Sequence, residues 1–354
     1  MRRIGYCLLL SAVLAGPAAA ELPPSLHRGI NITNWFRFPA SRDQAVLRSY
    51  LDDASMDQLR GAGFTFVRLA VQSDMLTERG PLADAILRLQ QHKLAVIVAL
   101  FPSGWQAESE PSKVIASWQT LAPLLRRYDP AFTFPEILNE PVFAADPALW
   151  AALQHQALQA IRTILPKNTI VLTGADWGST SGLLALTPEA DANVIYSFHF
   201  YEPPELTALG AYRQGLDSEA MAKLPFPVSD PIRCETLAAV THDAATAGLI
   251  RFYCAQRWDA AKVTDRIAAV GTWAHENHVN VIAGEFGATN RLSRESRLAW
   301  LAAVRTTCEQ QGFAWALWGY DDSMGLAVHP PGRPHQFDPG ILSDLGLADS
   351  GRGK

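Results

Sequence analysis

Apolar residues run along this chain in two alternating styles. Short blocks rich in Val, Ile, Leu and Phe occur at 28–32, 64–71 and 94–101, and from 132 up to Asn139-Glu140-Pro141. They recur at 169–173, 194–199, 281–286 and 313–318. Between them lie stretches with apolar residues at three- and four-residue spacing, at 52–60, 82–92, 112–128, 147–165, 259–276 and 293–311. The first style predicts strands and the second amphipathic helices. Asp146 before Pro147 reads as an N-cap followed by a favoured first-turn proline, and Gly61 and Gly63 close the first helix. Strands this apolar are covered on both faces, so eight of them alternating with helices predict a parallel sheet closed into an α/β (β/α)₈ TIM barrel. A doubly wound open sheet is the competing reading. It would carry a glycine-rich phosphate turn after its first strand, and residues 30–36 have none.

Three stretches depart from the regular alternation. Asn34-Trp35-Phe36 reads as a loop after the first strand. The Gly/Ser-rich connection 175–191 leaves room for only a small helix. Residues 202–257 hold many prolines and form a long insertion after the sixth strand, expected as a lid or loop over the mouth of the barrel.

The first twenty residues follow another logic. Arg2 and Arg3 precede an apolar run through Leu14, and small residues end at Ala18-Ala19-Ala20. That order predicts a signal peptide over 1–20, a mature domain over 21–354, and a periplasmic or secreted protein. The run is too short for an ordinary spanning helix, an uncleaved anchor being the alternative reading, and no later segment is apolar enough to span a bilayer. Export permits disulfides. Cys7 leaves with the leader, Cys234 and Cys254 are the candidates for a bridge, and Cys308 is expected to stay reduced in the core.

Composition narrows the function. At 354 residues and 48% hydrophobic content, the chain can bury a large core as a single domain. A net charge of -5 without long runs offers no footprint for nucleic acid or an anionic membrane. A monomer acting on an oligo- or polysaccharide is the expectation. The pair His275 and His278 lacks further ligands nearby in sequence, so no metal and no cofactor are expected.

In such a barrel, working residues stand at the C-terminal ends of the strands. Those ends carry Arg68, Asn139, Glu140, His199, Tyr201, Glu285 and Trp318. Alternation along a strand puts Glu136, Leu138 and Glu140 on one face, and Val281, Ala283 and Glu285 on one face. Glu136 would lie deeper and need a buried partner, for which Arg68 is the candidate. Two carboxylates from different strands suit glycoside hydrolysis, one protonated to release the leaving oxygen and one ionised to attack the anomeric carbon. Arg68 and Tyr201 would hold the attacking group, and Asn139 would grip a sugar hydroxyl. Trp318, Trp35 and Trp105 offer flat faces for a pyranose ring. Trp177 and Trp258 read as core or lid residues.

The ordered series RGIN, VRL around Arg68, LNEP, FHFY, GEFG and ALWGYDD resembles the cellulase-like glycoside hydrolase family 5 over nearly the whole mature chain. The resemblance implies a retaining mechanism with Glu140 as acid/base and Glu285 as nucleophile, supported by Arg68, Asn139, His199, Tyr201 and Trp318. It implies no cofactor. One departure stands out: the third strand ends VALFPSGW, where the family usually has a histidine that contributes to sugar binding. The expected activity is cleavage of a β-linked glucan, of the endo-β-1,4 type. The alternatives are mannan, a β-1,3-glucan, or a non-catalytic sugar binder on a degenerate barrel.

Overall fold

The computed structural model describes residues 21–328 and 335–348; the signal peptide expected over residues 1–20 lies outside the described residues. Eight strands form the centre: β1 (Arg28–Phe36), β2 (Phe66–Gln72), β3 (Ala95–Phe101) and β4 (Thr133–Glu136), then β5 (Ile170–Thr173), β6 (Val194–Phe200), β7 (Val281–Phe286) and β8 (Ala314–Leu317). Neighbours pair in parallel in sequence order and β8 closes onto β1, giving a (β/α)₈ barrel. The main outer helices are Asp53–Ala62, Arg79–Gln91, Ser112–Leu125, Pro147–Ile164, Ala260–Asn277 and Arg294–Gln310. Side chains of Asp52, Asp146, Asp259 and Ser293 accept backbone N–H groups where four of these helices begin. Caps of this kind contribute about 1 kcal/mol each.

The two faces of each strand have separate tasks. Phe66, Ile97, Phe134, Val171, Ile195, Ile282 and Ala316 pack together inside the barrel and fill its floor. Gly29 makes room there, because a Cβ at this position would clash with the Phe66 ring. The alternate residues, such as Val67, Val96, Leu172, Phe198 and Ala283, join the larger core under the helices. Directly above the floor the inward positions turn polar, with Arg68 two residues beyond Phe66 and Glu136 two beyond Phe134.

Residues 34–36 belong to β1 rather than to a loop. Trp35 and Phe36 are fully buried, and the strand reaches them through a register shift after Ile32. The connection between β5 and β6 holds two short helices, Ala175–Gly178 and Thr180–Leu184. The insertion after β6 is largely helical, with helices at Pro204–Thr207, Ser218–Met221, Pro231–Ala239 and Ala244–Gln256. A Cys234–Cys254 disulfide joins the last two, and Cys308 is free and buried. The insertion is fastened sideways to the exit of β7: Thr289 N–H donates to the Thr207 carbonyl, Ser293 N–H to that of Ala222, and Phe226 N–H to Ser296 Oγ.

Candidate active site

Arg68 organises the inner mouth. Its side chain is fully buried, and its guanidinium reaches acceptors from three other strands or their exits. Nε and Nη2 donate to the two oxygens of Glu136 at 2.7 and 2.5 Å. Nη1 donates to Asn31 Oδ1 at 2.9 Å and also to Glu285 Oε1, and Nη2 donates to Asn139 Oδ1 at 2.9 Å. Burial opposes the charge, but the Glu136 and Glu285 carboxylates outweigh it and raise the Arg68 pKa above its ordinary value. A planar fork of five donors suits this many in-plane acceptors, which an ammonium could not replace. Glu136 therefore has the buried partner that its depth demanded. Replacing Glu136 by glutamine is expected to cost about 3 kcal/mol of stability, because a buried guanidinium loses a paired charge. Urea unfolding checks this, and an unchanged midpoint would mean that something other than Glu136 compensates Arg68.

Strand alternation does not explain how the two outer glutamates reach the centre. Val281 and Ala283 pack under the helices, so strict alternation would send Glu285 outward as well. Instead the β6–β7 register slips: Phe198 pairs with Ala283, but His199 pairs with Glu285. Gly284 is the extra residue of this bulge, which turns Glu285 inward. Gly284 also has Ser197 Oγ where a Cβ would stand, and its carbonyl accepts from Asn31 Nδ2 at 3.0 Å. Glu140 likewise lies past the end of its strand. β4 stops at Glu136, Asn139 N–H reaches over to the Leu100 carbonyl, and Glu140 takes a left-handed φ of 46°. Strain of that kind in a non-glycine residue costs on the order of 1 kcal/mol and persists where the surroundings hold it.

The two carboxylates meet at His199. Its Nδ1 lies 3.0 Å from Glu140 Oε1 and 3.5 Å from Glu285 Oε2, and ligand atoms of all three groups fall within 4.8 Å of one another. Tyr201 Oη donates to Glu285 Oε2 at 2.9 Å. Burial, reinforced by the Glu285 and Glu140 charges, pushes the Tyr201 phenol well above its usual pKa, so it remains a donor. Burial also raises the Glu285 carboxyl, while the His199 and Arg68 charges pull against it. Burial would raise Glu140 too, but its hydrogen bond to His199 wins and lowers it. For His199, burial is outweighed by Glu285 and Glu140, and the imidazole pKa rises. His199 thus bridges the two carboxylates through Nδ1, and both of them raise its proton affinity. The trio also has the spacing of metal ligands, but the Arg68 guanidinium bonded to Glu285 makes the cluster poor for a cation.

The aromatic residues divide differently from expectation. Trp318 is half-buried at the mouth and packs on Phe101, which takes the strand-three position expected to lack histidine. Trp35 is no sugar platform. It is completely buried, its Nε1 donates to the Leu47 carbonyl at 2.6 Å, and its ring stacks on Phe36. Trp105 is nearly buried and donates to Ser73 Oγ at 2.8 Å, which ties down the loop after β3. Trp177, by contrast, is 53% exposed. It has a positive φ of 56° and is held beside the Asn139-Glu140-Pro141 turn by its N–H to the Pro141 carbonyl. Sequence periodicity says nothing about a tryptophan in an irregular turn, so its exposure was invisible there. Trp258 is buried. Asp321 and Asp322 act as loop ties, accepting from Tyr50, Asn34 and Thr33.

Comparison with known proteins agrees with this geometry. The profile described as Cellulase (glycosyl hydrolase family 5) matches residues 27–323. The chain belongs to that family. Among curated relatives, Endoglucanase 3 of Fibrobacter succinogenes is 28% identical over 351 residues, covering 88% of this chain and 52% of the relative. The chain thus spans about half the length of that relative. Among solved structures, Cel5A of Thermotoga maritima in complex with mannotriose superposes with a TM-score of 0.71 at 24% identity, covering 91% of this chain and 97% of that one. The cellulose synthase subunit Z of Clostridioides difficile superposes with a TM-score of 0.71 at 23% identity, covering 90% and 99%. Both share the barrel of this family 5 chain.

Proposed function

We propose that this family 5 protein is an exported, retaining β-glycosidase that cuts β-1,4-glucan internally. The observation that carries the reading is the close approach of Glu140 and Glu285, within 4.8 Å at the mouth of a barrel. Retaining enzymes hold their carboxyl groups about 5–5.5 Å apart, whereas inverting ones leave about 6.5–9.5 Å for a water. Export rests on the leader-like order of residues 1–20. The choice of glucan rests on the endoglucanase relative.

Glu285, aligned by Arg68 and Tyr201, attacks the anomeric carbon while the bond from that carbon to the leaving oxygen breaks. Glu140 donates the proton that the leaving oxygen needs. The hydrogen bond between Glu140 and His199 Nδ1 gives that proton a route. A bound sugar removes water from the partly exposed Glu140, raises its proton affinity, and draws the proton across. Ester formation then cancels the Glu285 charge, so Glu140, once deprotonated, becomes the base for an incoming water. Attack of that water on the anomeric carbon releases Glu285. Asn139 spends its carbonyl oxygen on Arg68, which leaves its NH₂ for the sugar 2-hydroxyl. Trp318, packed on Phe101 at the mouth, provides a stacking face for the sugar. A sugar binder would have no need for two carboxylates bridged by one histidine.

The test uses the purified protein on soluble β-1,4-glucan, β-1,3-glucan and mannan, with the first product followed by proton NMR. Reducing ends are expected to appear fastest from the β-1,4-glucan, initially as the β-anomer. An initial α-anomer would rule out the retaining mechanism, and turnover of mannan alone would replace the substrate.

A further inference from the structure

The strand-three position without a histidine has a neighbour that no motif pointed to. Arg37 follows the last residue of β1, and its guanidinium carbon lies 4.3 Å from the centroid of Phe101 and 5.5 Å from that of Trp318. Phe38 lies at 4.7 Å. Among the described residues its guanidinium meets ring faces, and no side-chain acceptor is bonded to it. Burial lowers its pKa, with the charges of Glu285 and Glu140 acting in the opposite direction, so it faces the same mouth as the catalytic pair. Here is a planar fork of donors, held against aromatic rings and, among the described residues, with no side-chain acceptor on it.

We infer that Arg37 binds hydroxyl oxygens of the glucan on the glycone side of the cut, doing with a guanidinium what the strand-three imidazole does elsewhere in the family. This rests on the hydrolase reading above and adds a specificity-determining residue to it. The side follows from topology. Glu140, which serves the leaving oxygen, comes from the exit of β4, while Arg37 and Trp318 come from the adjoining exits of β1 and β8 across the barrel. A sugar attacked by Glu285 and stacked on Trp318 presents its ring hydroxyls to that side. Adjacent sugar hydroxyls supply neighbouring acceptor oxygens, which match a guanidinium edge. Charge balance selects neutral hydroxyls over an acidic substituent. Two guanidiniums, Arg37 and Arg68, face three carboxylates, those of Glu136, Glu140 and Glu285. No surplus positive charge remains to attract an anion.

The experiment compares Arg37→Met, which keeps the apolar stem on Phe101, with Arg37→Lys. Cellotriose binding is measured by calorimetry in a Glu140→Gln background, and turnover of hydroxyethyl cellulose and carboxymethyl cellulose in the otherwise wild-type enzyme. Arg37→Met is expected to weaken cellotriose binding and raise KM for hydroxyethyl cellulose about 10- to 100-fold, the loss of one or two charge-assisted hydrogen bonds, with kcat changed far less. Arg37→Lys should recover only part of this, since an ammonium is not a fork. Parent-like cellotriose binding by Arg37→Met would overturn the inference, as would a loss seen only on the anionic carboxymethyl cellulose. A parent that binds cellotriose but releases no sugar would count against the hydrolase reading instead, and the binding comparison would still judge Arg37.

Discussion

Glu285→Gln is expected to keep its fold and to lose turnover by about 10⁴-fold or more, the scale on which removal of a nucleophile acts. An amide can still accept from Arg68 and Tyr201, so the network survives in shape while the attacking charge is gone. The decisive companion is Glu285→Ala with azide. The small anion can enter where the carboxylate stood and attack from the same face, giving a glycosyl azide of α configuration. Appearance of that product fixes Glu285 as nucleophile; a β-azide would transfer the role elsewhere. The pH profile of the parent follows from the same group. Burial raises the Glu285 pKa above that of an exposed glutamate. Raising the pH ionises it and increases the rate, so the acid limb of kcat/KM should lie above the ordinary glutamate value of about 4.3.

Glu140→Ala carries the second large effect. With a sugar leaving group it should lower kcat by about 10²- to 10⁴-fold, the usual worth of general acid–base catalysis. With a dinitrophenyl leaving group, which needs no proton, the first step should be nearly normal and the glycosyl-enzyme should accumulate. A burst of phenol followed by slow turnover is the expected trace, and azide should release a β-configured product. The alkaline limb of the profile should disappear, because the proton shared by His199 and Glu140 no longer has a task. Equal losses with both leaving groups would remove Glu140 from proton transfer.

The barrel was readable because its signal is collective: eight apolar blocks separated by helical periods leave few other arrangements. The Arg68–Glu136 pair was readable from burial alone, since a charge two residues above an apolar floor needs a partner. Glu285 was found through its motif while its direction was not. Alternation fails at a bulge, and no local pattern around Gly284 reveals a slipped register. Trp35 misled because an aromatic residue beside a strand end looks the same whether it turns toward sugar or toward the helices. Its burial against Leu47 depends on a helix that follows it in the chain. Arg37 went unnoticed for a related reason: its position over Phe101 joins the exits of β1 and β3, which lie far apart in sequence.

Arg68 takes its acceptors from β1, β4 and β7 or their exits while standing on β2. Chemistry and closure thus depend on the same five N–H groups. Alignment of Glu285 therefore waits on four strands at once, and a barrel lacking β1, β2 or β4 would leave that carboxylate without its anchored guanidinium.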